Sequence, residues 1–373
     1  MLPPDAPVVL LQHHGLDNLR GKTGLAMLRY RKGPIPAVVD PAHAGANLQA
    51  ITGLPRSAPV VASLRDALPL LEAPERAVAV VGLAPSGGAL PAEMRADLLA
   101  ALDAGMSLAS GLHTPLGKDP ELAARLKPGR WIWDLRQEPK GLTVASAQAA
   151  QLPGQRLLAV GTDMSVGKMS ACLELQSAAL RRGLDARFVA TGQAGILISG
   201  CGVPLDAIRV DYAAGGVEQA VVGAAGAATP HTVLLVEGQG SLCHPGSTAT
   251  LPLLRGAQPT ALLLVHRAGQ GSIRNAPHIP IPPLPELIAV LEALAALGRP
   301  EASPPAPASP PAPKVEAIAL NTAHLCEHDA QRAMDEIRVL TGLPCADPVR
   351  HGGDALLEAL LAGPLTGLAI NEH

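Results

Sequence analysis

Aromatic side chains are nearly missing from this chain. Of its 373 residues, only Tyr30, Trp131, Trp133, Phe188 and Tyr212 carry one. That scarcity excludes the stacking platforms on which single-stranded nucleic acid is held, and it leaves the cores to Ala, Val, Leu and Ile. Neither sign of charge dominates, with 29 basic against 32 acidic residues and no basic run, so no nucleic acid is expected as a partner. The mean hydropathy is high at +0.24. Yet the longest uncharged stretch, Phe188 to Leu205, holds four glycines with Thr191, Gln193, Ser199 and Pro204, which is no bilayer helix, and no membrane partner is expected. The N-terminus, MLPPDAPVVLLQ, lacks a basic n-region, so no secretory signal is expected. Cys172, Cys201, Cys243, Cys326 and Cys345 are scattered and form no CxxC pair, which argues against a zinc knuckle or a disulfide framework. HExxH and GxSxG are also missing, which removes the usual handles for a zinc hydrolase and a serine hydrolase. The expectation is a cytoplasmic α/β protein of two domains, at roughly 100–200 residues per domain.

What is present is an alternation of short aliphatic runs with longer helical patterns, the mark of parallel sheets covered by helices. A first series of strands is predicted at Val8–Leu11, Ala37–Val39, Val78–Leu83, Met106–Ala109 and Trp131–Leu135, with helices at Thr23–Tyr30, Leu64–Leu71 and Pro91–Ala104. A second series is predicted at Leu157–Val160, Arg187–Ala190, Thr232–Val236, Ala261–Val265 and Val315–Leu320. The strand pattern pauses between Glu138 and Gln155, which predicts a Rossmann-like domain over 1–145 and a P-loop domain over 146–373. The Pro-rich segment 298–313 reads as an inserted, extended loop, because proline fixes φ and has no amide to donate.

The most informative segment is Leu157 to Gly183, where a buried strand runs into a glycine loop and then a helix opening at Lys168. Inward-facing loop amides, the positive end of a helix and a lysine together suit a di- or triphosphate. Gly161, Thr162, Asp163, Met164, Ser165, Val166, Gly167, Lys168, Met169 and Ser170 are the residues expected to hold it. The pattern departs from the usual one: five residues rather than four precede Gly167, and Met169 stands where the hydroxyl residue is expected, with Ser170 next. A hydroxyl moved by one residue turns about 100° around a helix, so the magnesium half of the motif is weaker than the phosphate half. Gly15 to Thr23 (GLDNLRGKT) repeats the five-residue spacing, but Leu19 and Arg20 crowd its loop, and it is expected to be structural or a secondary substrate loop.

Ligands of open parallel sheets bind beyond the carboxyl ends of the strands, so the residues there form a provisional site. Glu237 follows an apolar strand, where P-loop proteins place a carboxylate for Mg²⁺, and Ser170 is its candidate partner. Gly192, Gln193 and Gln239 lie in small-residue loops that either face a substrate or merely turn. Asn321 ends a strand and either pairs with a purine edge or closes a turn. His244, His266 and His278 fall near loops on the same side, and His244 and His278 are taken as candidate proton carriers beside Lys168 and Glu237.

GTDMSVGKMS followed by VEGQGS resembles dethiobiotin synthetase and its relatives. With ATGQAGILISG, GQGSLCHPG, PHIPIPPL and LNTAHL, and with KTGLAMLRY, VVDPAHAG, GLAPSGG, SGLHTPL and WIWDLR earlier, the chain resembles a narrower group. That group is the two-domain, D-glutamate N-acetyltransferase-like family once catalogued as a domain of unknown function. The resemblance implies a Rossmann-like domain joined to a P-loop domain, amino-acid metabolism and homo-oligomers. It favours acetyl-CoA as donor and a small amino acid such as D-glutamate as acceptor. The residues alone leave open an ATP- and Mg-dependent ligase or kinase of dethiobiotin-synthetase type, and a nucleotide-gated metabolite sensor.

Overall fold

Aliphatic runs with no polar alternation need burial on both faces, which a parallel sheet between helices supplies. The computed structural model describes residues 2–300, 312–363 and 365. It comprises two compact units, one of Met1–Glu138 with Gln193–Ala207 and the other of Pro139–Gly192 with Ile208–His373. The chain therefore changes unit at the peptide bond between Gly192 and Gln193.

In the first unit, β1 (Val8–Leu11), β2 (Ala37–Val39), β3 (Val60–Val61), β4 (Val78–Val81), β5 (Ser107–Ser110) and β6 (Ile132–Asp134) form one sheet. The order is β3-β2-β1-β4-β5-β6 and every pairing is parallel, which is the Rossmann arrangement. Every residue of β1, β2, β4 and β5 is buried, as their aliphatic composition requires. The helix expected over Leu64–Leu71 is an α-helical turn, Leu64–Ala67, continued by a tighter turn at Leu68–Leu70, because Pro69 has no amide to continue the ladder. The two-residue β3 is too short to show as a run.

In the second unit, β7 (Gln155–Gly161), β8 (Asp185–Val189), β9 (Thr232–Val236), β10 (Ala261–Arg267), β13 (Val315–Asn321) and β14 (Cys345–Ala346) form a parallel sheet. A hairpin of β11 (Ser272–Ile273) and β12 (Ala276–Pro280) stands apart from it. The sheet order is β14-β13-β10-β7-β9-β8, so the loop-bearing strand β7 lies centrally between β10 and β9. Leu157, Leu158, Ala159 and Val160 are buried there, and each leucine so buried stabilises the unit by roughly 1.5–3 kcal/mol. Of the Pro-rich insertion expected over 298–313, residues 301–311 lie outside the described residues. Among the described residues no helix is long and apolar enough to cross a membrane.

The small-residue loop expected around Gly192 and Gln193 is different in kind. From Gln193 it is already helix, Gln193–Ser199, and that helix packs in the first unit against the helix Lys22–Tyr30. Its buried Ile196 and Leu197 explain the choice, since these side chains belong in a core rather than a turn.

Candidate functional site

The glycine loop of the second unit is built at the end of β7. The Thr162 amide donates to the Val265 carbonyl (3.1 Å), prolonging the β7–β10 ladder by one rung before the chain turns away. Ser165 then takes the left-handed region (φ 57) and Gly167 a φ of 119, and the 14-residue helix Lys168–Arg181 starts without a side-chain cap. Among the described residues, none accepts a hydrogen bond from the amides of Ser165, Val166 or Gly167. A strained non-glycine residue and open amides at an uncapped helix N-terminus are the physical makings of an anion cradle.

Lys168 is 6% exposed, and its Nζ donates to the Asp163 carbonyl (2.8 Å), so it lies along the loop. Burial pushes its pKa down to about 8, while the charges of Asp163 and Glu237 pull the other way. Gly238 makes room for it: a Cβ there would stand 1.8 Å from the Ala159 carbonyl oxygen and 2.8 Å from Lys168 Cδ.

Asp163 has a part that spacing did not reveal. Its carboxylate is buried and accepts from the Met164 amide (2.6 Å), from Gln270 Nε2 (2.7 Å) and from the Arg274 amide (2.8 Å). One side chain thereby fixes the glycine loop to the β11–β12 hairpin. Glu237, also buried, accepts through Oε2 from the Thr191 (2.9 Å) and Gly192 (3.2 Å) amides and through Oε1 from Gln239 Nε2 (3.3 Å). These described donors hold the carboxylate in place at the end of β9. Gly192 and Gln239 thus gather around Glu237, whereas Gln193 belongs to the first unit.

The histidines divide. His266 is 6% exposed, lies 3.0 Å from Thr162 Oγ1 through Nδ1, and burial lowers its pKa to about 4. His244 Nδ1 accepts from the Gly246 amide (3.0 Å), so the neutral ring carries its proton on Nε2 and offers a donor there. His278 is exposed on β12, in no described hydrogen bond, on the hairpin that Asp163 clamps.

Beside the glycine loop a cavity of about 320 Å³ opens, lined among others by Gly167, Ser170, Asn321 and Pro348. Asn321 Nδ2 donates to the Val166 carbonyl (2.9 Å) and its Oδ1 accepts from the Ala323 amide (3.2 Å), so the turn-closing role is the one its geometry realises. Ser170 faces this cavity at the ends of β10 and β13, whereas Glu237 follows β9, on the other side of β7 in the sheet. No group of three or more His, Cys, Asp or Glu suited to a metal ion occurs among the described residues. The cavity wall also holds Asp347, which accepts from the Thr322, Val349 and Arg350 amides, and Arg350, whose guanidinium donates to the Thr322 and Leu325 carbonyls. Sequence reasoning passed these over, although Asp347 before Pro348 is a recognisable helix start.

A Rossmann-ordered sheet in one unit and an open glycine loop with a buried lysine in the other define a Rossmann-like plus P-loop α/β protein. Comparison agrees: residues 143–357 match the model described as the DUF1611 C-terminal P-loop domain, and residues 41–138 the DUF1611 N-terminal Rossmann-like domain. The chain belongs to the DUF1611 family. A crystal structure of a family member from Anabaena variabilis is 50% identical, covers 96% of this chain and 100% of its own, and superposes with a TM-score of 0.87. Two relatives are named D-glutamate N-acetyltransferase. The protein from Tritonibacter scottomollicae is 39% identical over 289 residues, covering 76% of this chain and 80% of its own. The one from a Pseudoalteromonas species is 34% identical over 283 residues, covering 75% and 80%.

Proposed function

We propose that the glycine loop of the second unit grips the phosphates of acetyl-CoA and that the protein passes the acetyl group to the amino group of a small amino acid, D-glutamate or a close analogue. The observation that carries this reading is the cradle itself: amides at Ser165–Gly167 that no described residue accepts from, beside a buried Lys168, in a chain whose relatives carry that activity in their names. The Ser165–Gly167 amides and the Lys168 ammonium would bind the phosphates, and the cavity past Gly167 and Asn321 would take the flat base. The donor, when bound, supplies a thioester carbonyl: the amine nitrogen forms the new C–N bond, the C–S bond breaks, and the thiol is released. Only a neutral amine attacks, so a proton must leave the ammonium first. Of the titratable candidates, His278 is the one whose ring is in no described hydrogen bond, and it takes this proton in the proposed scheme. His244 Nε2–H is suited to donate towards the developing oxyanion.

Met169 at the hydroxyl position, with Ser170 and Glu237 on opposite flanks of β7, supports acyl transfer over the Mg-dependent alternative. Purified protein incubated with D-glutamate and either acetyl-CoA or ATP·Mg²⁺ tests the choice. Release of free thiol without ADP is the expected result. ADP formation that depends on an amino or carboxyl substrate would instead make it a ligase or kinase, and tight nucleotide binding with no turnover would make it a sensor. His278→Gln is expected to lower kcat by about 100-fold with donor affinity retained.

A further inference from the structure

The crevice of the first unit carries a second cluster that the P-loop chemistry does not use. Rossmann sheets take ligands where the strand order reverses, here between the loops after β1 and β4. At that place begins the nine-residue helix Lys22–Tyr30, whose N-terminus has no side-chain cap. Lys22 is exposed, and among the described residues no carboxylate pairs with it; its charged neighbour is another cation, Arg136. Arg136 in turn donates to His113 Nε2 and pairs with Asp206 (3.2 Å), while its buried Nε has no partner among the described residues.

The second observation comes from Gln193. It is 7% exposed, and its Nε2 donates to Thr23 Oγ1 (3.1 Å) in the first turn of the same helix. Its Oε1 is buried without a partner among the described residues, and Gly111, after β5, leaves the space in which the carboxamide lies. A buried amide oxygen left unpaired is costly, so the site favours whatever supplies a donor. The cluster thus combines the unpaired charge of Lys22, the orphan Nε–H of Arg136 and an orphan acceptor on Gln193.

The geometry points to a binding site in the first unit for a small amino dicarboxylate, its carboxylates drawn by Lys22 and Arg136 and its ammonium donating to Gln193 Oε1. It borrows from the acyl-transfer reading only the choice of probe. Binding without any donor keeps the two separable, since loss of acetyl transfer leaves this site standing and the reverse holds equally.

Titration calorimetry of the full chain with D-glutamate, and with glutarate, which lacks the amine, provides the test. D-glutamate is expected to bind the wild type more tightly than glutarate. Lys22→Ala should weaken it about tenfold and Lys22→Arg hold it within about threefold. Gln193→Leu should erase the preference for D-glutamate over glutarate, with circular dichroism confirming that it folds. Lys168→Ala should leave D-glutamate binding unchanged. The proposal is overturned if the wild type binds neither compound, if Lys22→Ala binds as the wild type does, or if Lys168→Ala abolishes binding.

Discussion

Two loops of this chain share one spacing and end in different structures. Gly15–Thr23 and Gly161–Ser170 both place five residues before Gly-Lys at the end of the first strand of a parallel sheet. In the first unit, Gln12 Nε2 donates to the Gly21 (2.8 Å) and Gly15 (3.4 Å) carbonyls and draws the loop shut. A Cβ on Gly21 would lie 1.9 Å from the Gly15 oxygen, Asn18 accepts from the Arg20 amide (3.0 Å), and Lys22 stays exposed. In the second unit, the amides of Ser165–Gly167 stay open and Lys168 is buried along the loop. Spacing alone therefore does not make a phosphate cradle. What separates the two is whether a neighbouring side chain already occupies the space that a phosphate would fill.

The contrast can be broken most directly at the two lysines. Lys168→Ala is expected to weaken acetyl-CoA binding by about 100-fold, while Lys22→Ala keeps it within about twofold. Calorimetry showing the reverse would move the donor to the first unit. The two buried glycine contacts sharpen it next. Gly238→Ala should destabilise the second unit by about 2–3 kcal/mol and weaken the donor, because the new methyl meets the Ala159 carbonyl and Lys168. Gly21→Ala should cost a similar amount in denaturant unfolding without altering donor affinity.

A third difference lies in pH. Lys168 grips phosphate as the ammonium, and burial has lowered its pKa to about 8. Donor affinity should hold below pH 8 and fall by about tenfold per unit above it, as one bound proton is lost. The fall should be unchanged in Lys22→Ala. The smallest effect belongs to the cap of the closed loop. Asn18→Ala should cost only about 0.5–1 kcal/mol, read as a small drop in Tm, with the donor dissociation constant untouched.

Much of the framework was legible because it rests on local pattern. β1, β2 and β9 have the bounds expected of them, and the others in the two predicted series shift by one or two residues at their ends. β3 and β14, two residues each, carry no signal that a run could show. In the candidate site, the loop residues Gly161–Ser170 were legible from glycine spacing before a helix. The clamp that Asp163 makes with Gln270 and Arg274 was not, because it joins residues 107 and 111 positions apart. Gln193 illustrates the same limit: its neighbours in sequence suggested a small-residue loop facing a substrate or merely turning, while Ile196 and Leu197 drew the segment into the other unit.

By itself the sequence determined the α/β class, the longer strands of the two sheets and the presence of two glycine-lysine loops, because these follow from period, composition and backbone freedom over short distances. Tertiary structure alone decided which loop stays open, which carboxylate clamps that loop to the hairpin, and where Gln193 belongs. Those outcomes turn on which polar atoms find partners across long stretches of chain, and no local pattern records that.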